Sequence, residues 1–345
     1  MKRLIVVLGL SVLTMINFSS CNSCDRTKEK KFAVKQSQLK EAKQQIKISI
    51  ERYEQDLFTV RKDSFLTDLL KVQKKYPFFL EGDLEDVRNQ KQLWGYINDP
   101  MIKEVYQKTQ KRFPNLNKLT DDLLDAMSYY KTYVPEATIP KVYTYVSGFD
   151  YELPVKYMDN MLIIALDMFI GPHVDYYDQL GIPKYVSYEY QPEFIVPVSF
   201  KEISYAYLPS PKTRVTMLDY MIFEGKKLYF TELMMPHMHD SLIIGYPLRK
   251  LDWAIQNEGN IWAYLIENNL LYSKDNKAIV KFINDAPFTS VFARESPGRI
   301  GHWVGWQIVR SYMHNNEVDL LEMMRDENFR GILEKSRYKP KKNNV

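Results

Sequence analysis

Residues 200–207, FKEISYAY, set Lys201, Glu202 and Tyr205 in the pattern x-K-E-x-x-Y. With histidines at positions 201 and 205 the stretch would read H-E-x-x-H. There, two imidazoles four residues apart share one helix face and hold zinc, and the glutamate acts as general base. Further on, MIFEGKKLYF carries Glu224 before Gly225, a carboxylate that a second helix could bring to such a site. Protonated lysine has no free lone pair for a metal, so these residue types predict a cleft with neither metal nor cofactor. The expected arrangement is electrostatic. The Lys201 ammonium takes over from a divalent cation and pairs with Glu224, and the Tyr205 hydroxyl donates to the same carboxylate. The plainer alternative is that all of these are solvated surface charges.

The remaining chemistry-bearing residues add little. Of the five histidines, His237 and His239 sit two apart in PHMHD, which reads as a polar loop, and His173 lies near a turn. His302 and His314 fall on a late helix opened by SPGRIGHWVGW. In that stretch Ser296 is expected to cap, Pro297 to start the helix, and Gly301 and Gly305 to admit a close neighbour. Arg299 and His302 are expected to face the cleft. G-x-S-x-G, G-x-x-x-x-G-K and G-x-G-x-x-G are all absent from the sequence. Cys21 and Cys24 are its only cysteines, which excludes a disulfide framework and a cysteine-based zinc or protease site.

The elements that must position these residues are mostly helical. Apolar spacing over DLFTVRKDSFLTDLLKVQKKYP places Leu57, Phe65, Leu69 and Val72 on a helical stripe that Pro77 stops. A further helix is expected over LTDDLLDAMSYYKTYVP, with Thr120 as N-cap. KVYTYVSGF and MLIIALDMFIG (161–171) read as strands, and 193–206 and 213–233 as helices separated by PSP. Residues 248–335 read as helical again. The predicted class is α+β, mostly α, with a small antiparallel or mixed sheet. The order strand, degenerate helix, Glu-Gly helix is that of glutamate-type zincins, in which the strand is the substrate-pairing edge.

The N-terminus predicts export. Lys2 and Arg3 precede a 13-residue apolar run, Leu4 to Ile16, too short to cross a bilayer comfortably. FSSC then reads as a relaxed lipobox, so that residues 1–20 form a lipoprotein signal peptide and Cys21 carries the lipid. Residues 21–45, rich in Lys, Gln and Ser, read as a tether, and 46–340 as one domain. KSRYKPKK near the other end reads as a solvated tail. A net charge of +4, two units of which lie in the signal segment, excludes an electrostatic footprint for nucleic acid. Asn22 follows the lipid cysteine without an acidic run, which favours a periplasm-facing domain.

Eight stretches together resemble a known family: RYEQDLF, VSGFDY, LDMFIG, MIFEGKKLYF, IWAYLIENNLLYS, FINDAPFT, ESPGRIGHWVGWQIVRSYM and KSRYKP. They are similar to the gliding-motility lipoprotein GldB of Bacteroidetes, over about residues 50–340. The resemblance implies a lipid-anchored envelope protein tied to gliding and to type IX secretion. Its partners would be envelope proteins of that machinery or an extended polypeptide. That family is similar in turn to zinc-peptidase-like proteins, which implies a degenerate zincin-like domain and no established enzymatic activity. An active metal-dependent hydrolase with an atypical site is the alternative.

Overall fold

The computed structural model describes residues 34–340. The signal segment, the lipobox and Cys21 lie outside the described residues. Helix α1 (Gln36–Gln45) comes first and packs on a later helix, with Ala42 and Ile46 buried. The tether expected to reach residue 45 is therefore helical from residue 36, because a few apolar side chains find a neighbour there.

Strand β1 (Ile50–Arg52) runs into α2 (Tyr53–Phe58), and a turn separates this from α3 (Phe65–Lys75). The single helix expected over this region is thus two, with Leu57, Leu69 and Val72 all buried. Next come α4 (Val87–Asn98), α5 (Pro100–Arg112) and α6 (Asn117–Tyr133). Thr120 is not the cap of α6. It lies inside the first turn, where its hydroxyl donates to Leu116 O at 2.9 Å.

The sheet is mixed, in the order β1-β2-β4-β3, with β2 (Lys141–Tyr145), β3 (Val155–Met158) and β4 (Met161–Ala165). β1, β2 and β4 are parallel, and β3 turns back antiparallel to β4. The β3–β4 turn is Asp159–Asn160, both at positive φ (47° and 58°), as a two-residue hairpin turn of the primed type requires. β4 lies inside the sheet, contrary to the edge position expected for 161–171, and it ends at Ala165 in a 3-10 turn. Its continuously apolar sequence suits a strand flanked on both sides. The outer position belongs to β3, which sequence reading missed.

Asp167, just past β4, is fully buried. It accepts Ser147 N, Ser147 Oγ and Phe149 N, each at 2.9 Å. One carboxylate thus fixes the VSGFDY loop, where Gly148 and Phe149 both adopt positive φ. Around β1 and β2 the aromatics form a cluster in which Tyr53 stacks on Phe79 at 4.1 Å between centroids. Core packing is accordingly the main use of the many tyrosines in this half of the molecule.

Two short helices, α7 (Asp175–Gln179) and α8 (Lys184–Ser187), lead to α9 (Ile195–Ser204) and α10 (Met217–Met234). Then come α11 (Asp240–Ile244), α12 (Leu248–Glu267), α13 (Asn276–Ile283), α14 (Ile300–Asn315), α15 (Leu320–Arg325) and α16 (Phe329–Ser336). α10 is buried almost throughout and crosses α14. At the crossing Gly225 and Gly305 meet backbone to backbone: a Cβ on Gly225 would overlap the Gly305 carbonyl, and one on Gly305 would overlap the Met221 carbonyl. The Glu-Gly pair that suggested a metal-ligand helix thus has a packing reason for its glycine.

Two end signals were misplaced. α14 starts at Ile300, not at Pro297, and Ser296 is a buried loop residue bonded to Thr289. The KSRYKP segment docks rather than trailing into solvent: the Tyr338 hydroxyl donates to Glu258 at 2.8 Å and the ring packs edge-on against Trp262.

Candidate functional site

Lys201, Glu202, Glu224, Arg299 and His302 converge where α9, α10 and the start of α14 meet. α9 brings Lys201 and Glu202 at its C-terminal end, after which the chain tightens into a 3-10 turn over Tyr205–Tyr207. α10 is started by a reciprocal cap between Thr216 and Asp219, which sets the height of Glu224 two turns on. α14 is entered through Arg299 at φ 53°, a conformation held by the Tyr246 hydroxyl, which donates to Gly298 O (2.8 Å) and Arg299 O (2.9 Å).

The pairing differs from the expected one. Lys201 Nζ lies 3.5 Å from Glu189 Oε2, not against Glu224. Glu189, in the loop after α8, also accepts Arg299 Nη2 at 2.7 Å, and Arg299 Nε reaches Asp285 at 3.1 Å. Glu224 is held instead by Lys227 Nζ at 2.9 Å, three residues along its own helix, and by Arg214 Nη1 at 3.5 Å. Tyr205 does not donate to a glutamate. Its hydroxyl accepts from Lys227 Nζ at 2.7 Å, and its ring is largely exposed. The i,i+3 geometry wins because Lys227 and Glu224 are already neighbours on one helix face, whereas Lys201 faces the loop.

Two largely buried ion groups therefore lie side by side: Glu189 between Lys201 and Arg299, and Glu224 between Lys227 and Arg214. Burial alone would raise the Glu224 carboxyl, but Lys227 and then Arg214 hold it below the usual range. Burial likewise opposes ionisation of Glu189, and Lys201 and Arg299 overcome it. Lys201 is pushed down by its own burial, against the pull of Glu189. Lys227 goes up, because Glu224 and Tyr205 outweigh its desolvation. Glu202 has no ion-pair or hydrogen-bond partner among the described residues, and burial raises it. His302 is lowered to about 4, chiefly by burial. Its Nε2 stands 2.9 Å from Ile283 O, a pure acceptor, so Nε2 carries the proton and Nδ1 is bare, 4.0 Å from Glu224 Oε2.

Sequence reading missed Glu189, Arg214, Lys227 and Asp285. Lys227 was findable from its i,i+3 spacing to Glu224. Glu189 sits 110 positions from Arg299 with no local pattern to mark it. The loop histidines serve locally: His239 Nδ1 caps α11 by accepting Ser241 N, and His237 lies 3.4 Å from the Tyr129 hydroxyl. Among the described residues no group of three His, Cys, Asp or Glu side chains could hold a metal ion. Nor is any helix there long and apolar enough to cross a membrane.

A mostly helical body on a small mixed sheet, with a largely buried cluster of balanced charges where α9, α10 and α14 meet, defines the class: an α+β domain with an ion-paired polar cluster. The family model described as gliding motility protein GldB matches residues 35–340, nearly the whole chain, and the chain belongs to that family. Membership makes it a gliding-motility-associated lipoprotein, a membrane-anchored protein of the cell envelope. No curated protein and no solved structure matches the chain.

Proposed function

We propose that this chain is a non-catalytic binding module, held on the periplasmic side by its lipidated N-terminus at Cys21. There it serves the gliding and type IX secretion machinery by gripping an extended polypeptide or an envelope partner. The observation that carries the reading is the pairing in the cleft. Lys227 stands 2.9 Å from Glu224, and Arg299 stands 2.7 Å from Glu189. Ammonium and guanidinium groups thus occupy the ground that a metal and its activated water would need.

The sheet edge supports the choice of an extended partner. In the β3–β4 register Ala165 N donates to Pro154 O, so the hydrogen-bonded pairs are 154/165, 156/163 and 158/161. The N–H and C=O groups of Val155 and Tyr157 then point away from β4, on the side of β3 that pairs with no other strand among the described residues. A polypeptide can add there as a fifth strand.

A scaffold of peptidase type whose zinc-holding side chains have been replaced is part of this proposal; it draws on the chain order β4, α9, α10 alone, since β4 lies inside the sheet and not at its edge. Lys201→His with Tyr205→His restores the metal motif, and with Lys227→Met and Arg214→Met to free Glu224 it is expected to bind about one zinc per chain. If it binds none, the peptidase ancestry falls and the binding module stands.

The main test is crosslinking followed by recovery of the lipidated protein from native membranes. Motility or secretion components are the expected catch. The alternative, a metal-dependent hydrolase, draws on the bare His302 Nδ1 beside Glu224 and on the unpaired Glu202. Zinc-stimulated peptide turnover that Glu202→Gln abolishes would establish that alternative and sink the module reading.

A further inference from the structure

Away from the charged cleft, a groove of about 1060 Å³ lies between α1, α6, the start of α9 and the end of α10. Its volume is at the upper end of what small-molecule sites use, about 300–1,000 Å³. The walls are mostly apolar, with Leu39 partly exposed at the surface and the buried Leu119, Ile195, Val196, Met234 and Met235 behind it, beside polar Tyr129 and His237. Methionines adapt to occupants of irregular cross-section. The rim is charged, and most of the charge is already spent within it, as Lys43 pairs with Asp125 and Lys118 with Asp122. Among the described residues three rim charges have no ion-pair partner, Lys40, Arg112 and Glu193, so the unspent charge is net positive. An apolar trough with a cationic lip matches a ligand that has hydrocarbon chains and an anionic head.

The groove's place in the chain selects the source of that ligand. Gln36, in its wall, lies fifteen positions after Cys21. The intervening chain spans at most about 50 Å even when fully extended. A lipid on Cys21 therefore keeps the groove within reach of a bilayer. We propose that this groove takes the acyl chains of an anionic membrane phospholipid, with Lys40 and Arg112 facing the headgroup. The proposal rests on the envelope-lipoprotein reading only for bringing the groove to the membrane.

The test uses the full chain in its native envelope with Leu39→p-benzoylphenylalanine, a photoreactive side chain in the groove wall. Illumination followed by mass measurement should give an adduct of phospholipid mass on this protein. Lys40→Glu with Arg112→Glu, both surface changes that leave folding intact, should cut the adduct at least fivefold. Asn115→Trp, an exposed lining position that lets the ring fill the groove, should do the same. Adducts with another protein, adducts with the chain's own N-terminal segment, or lipid adducts indifferent to both changes would overturn the proposal. Fractionation of the same cells reads the anchor separately. Should the protein leave the membrane fraction, the crosslinking is repeated with added phosphatidylglycerol vesicles, where absence of a lipid adduct is equally fatal to the groove proposal.

Discussion

Glu189 and Arg299 are 110 positions apart in sequence, and their side chains meet at 2.7 Å. Gly245, at φ 85°, makes room for that contact, because a Cβ there would strike the Glu189 carboxylate. The pair joins the loop after α8 to the start of α14, and Lys201 leans on it from α9. The Glu189 ion group is thus assembled from three distant segments around one carboxylate.

The division of the cleft into two ion groups predicts unequal losses. Lys227→Ala leaves Glu224 with only Arg214 at 3.5 Å, whereas Lys201→Ala leaves Glu189 with Arg299 at 2.7 Å. Stranding a buried carboxylate costs about 3–5 kcal/mol. Lys227→Ala should approach the lower figure, and Lys201→Ala should cost about 1–2 kcal/mol, since a charge-assisted partner remains. Urea denaturation of the two variants gives the comparison. Equal losses would mean that the two groups act as one network.

His302 should confer acid sensitivity. It is neutral when folded, with a pKa of about 4, and titrates near 6.5 when unfolded. The unfolded state therefore binds the extra proton, and this stabilising contribution, complete above pH 6.5, disappears as pH falls toward 4. The loss amounts to at most about 3 kcal/mol, at 1.36 kcal/mol per pKa unit between 6.5 and about 4. Comparing wild type with His302→Gln at pH 7 and pH 5 isolates it, and the wild type should lose more. Parallel stability curves would show that the imidazole titrates normally.

Asp167→Ala should leave two backbone amides and one hydroxyl without an acceptor in the buried turn at Ser147–Phe149. Each orphaned donor costs about 1–3 kcal/mol, so a total above about 3 kcal/mol is expected. Asp167→Asn keeps one acceptor oxygen and should fall between. Thermal melts of the two variants decide the matter, and a wild-type melt for Asp167→Ala would contradict it.

The outward groups of β3 can be tested without disturbing the sheet. Tyr157 N–H points away from β4, so proline there removes no ladder bond. Tyr157→Ala controls for the lost ring. Tyr157→Pro should melt within about 1 kcal/mol of the alanine variant, yet lose the crosslinked partner that the alanine variant retains. Equal recovery from both would exclude strand addition at this edge.

The helices were largely legible: α3 falls within the stretch read from apolar residues recurring at three and four, α14 lies within the late helical region, and α6 and α10 overrun the stretches read by only one or two residues. The sheet was half legible. β2 and β4 carry β-branched runs, but β1 is three residues long and β3 is a polar-leaning edge beside a turn, so neither produces a periodic signal. The cluster's membership was partly legible: Lys201, Glu202, Glu224, Arg299 and His302 do gather there, but Glu189, Arg214, Lys227 and Asp285, which pair with them, were missed. Its pairing was not, because the partner of Lys201 comes from a loop whose position only the tertiary fold determines. Boundaries failed for a related reason. Thr120 and Ser296 are good caps by type, but each found a different bond inside the fold.

The contact of Gly225 with Gly305 has a mechanical meaning for the cleft. Glu224 is the residue before one glycine, and His302 lies three before the other. With backbone on backbone at the crossing, α10 and α14 can neither slide past one another nor part like jaws without tearing open the centre of the body. Whatever binds at these charges must be gripped with fingers and not with the hand: by lysine and arginine side chains exchanging their present carboxylate partners over a helix crossing that stays closed.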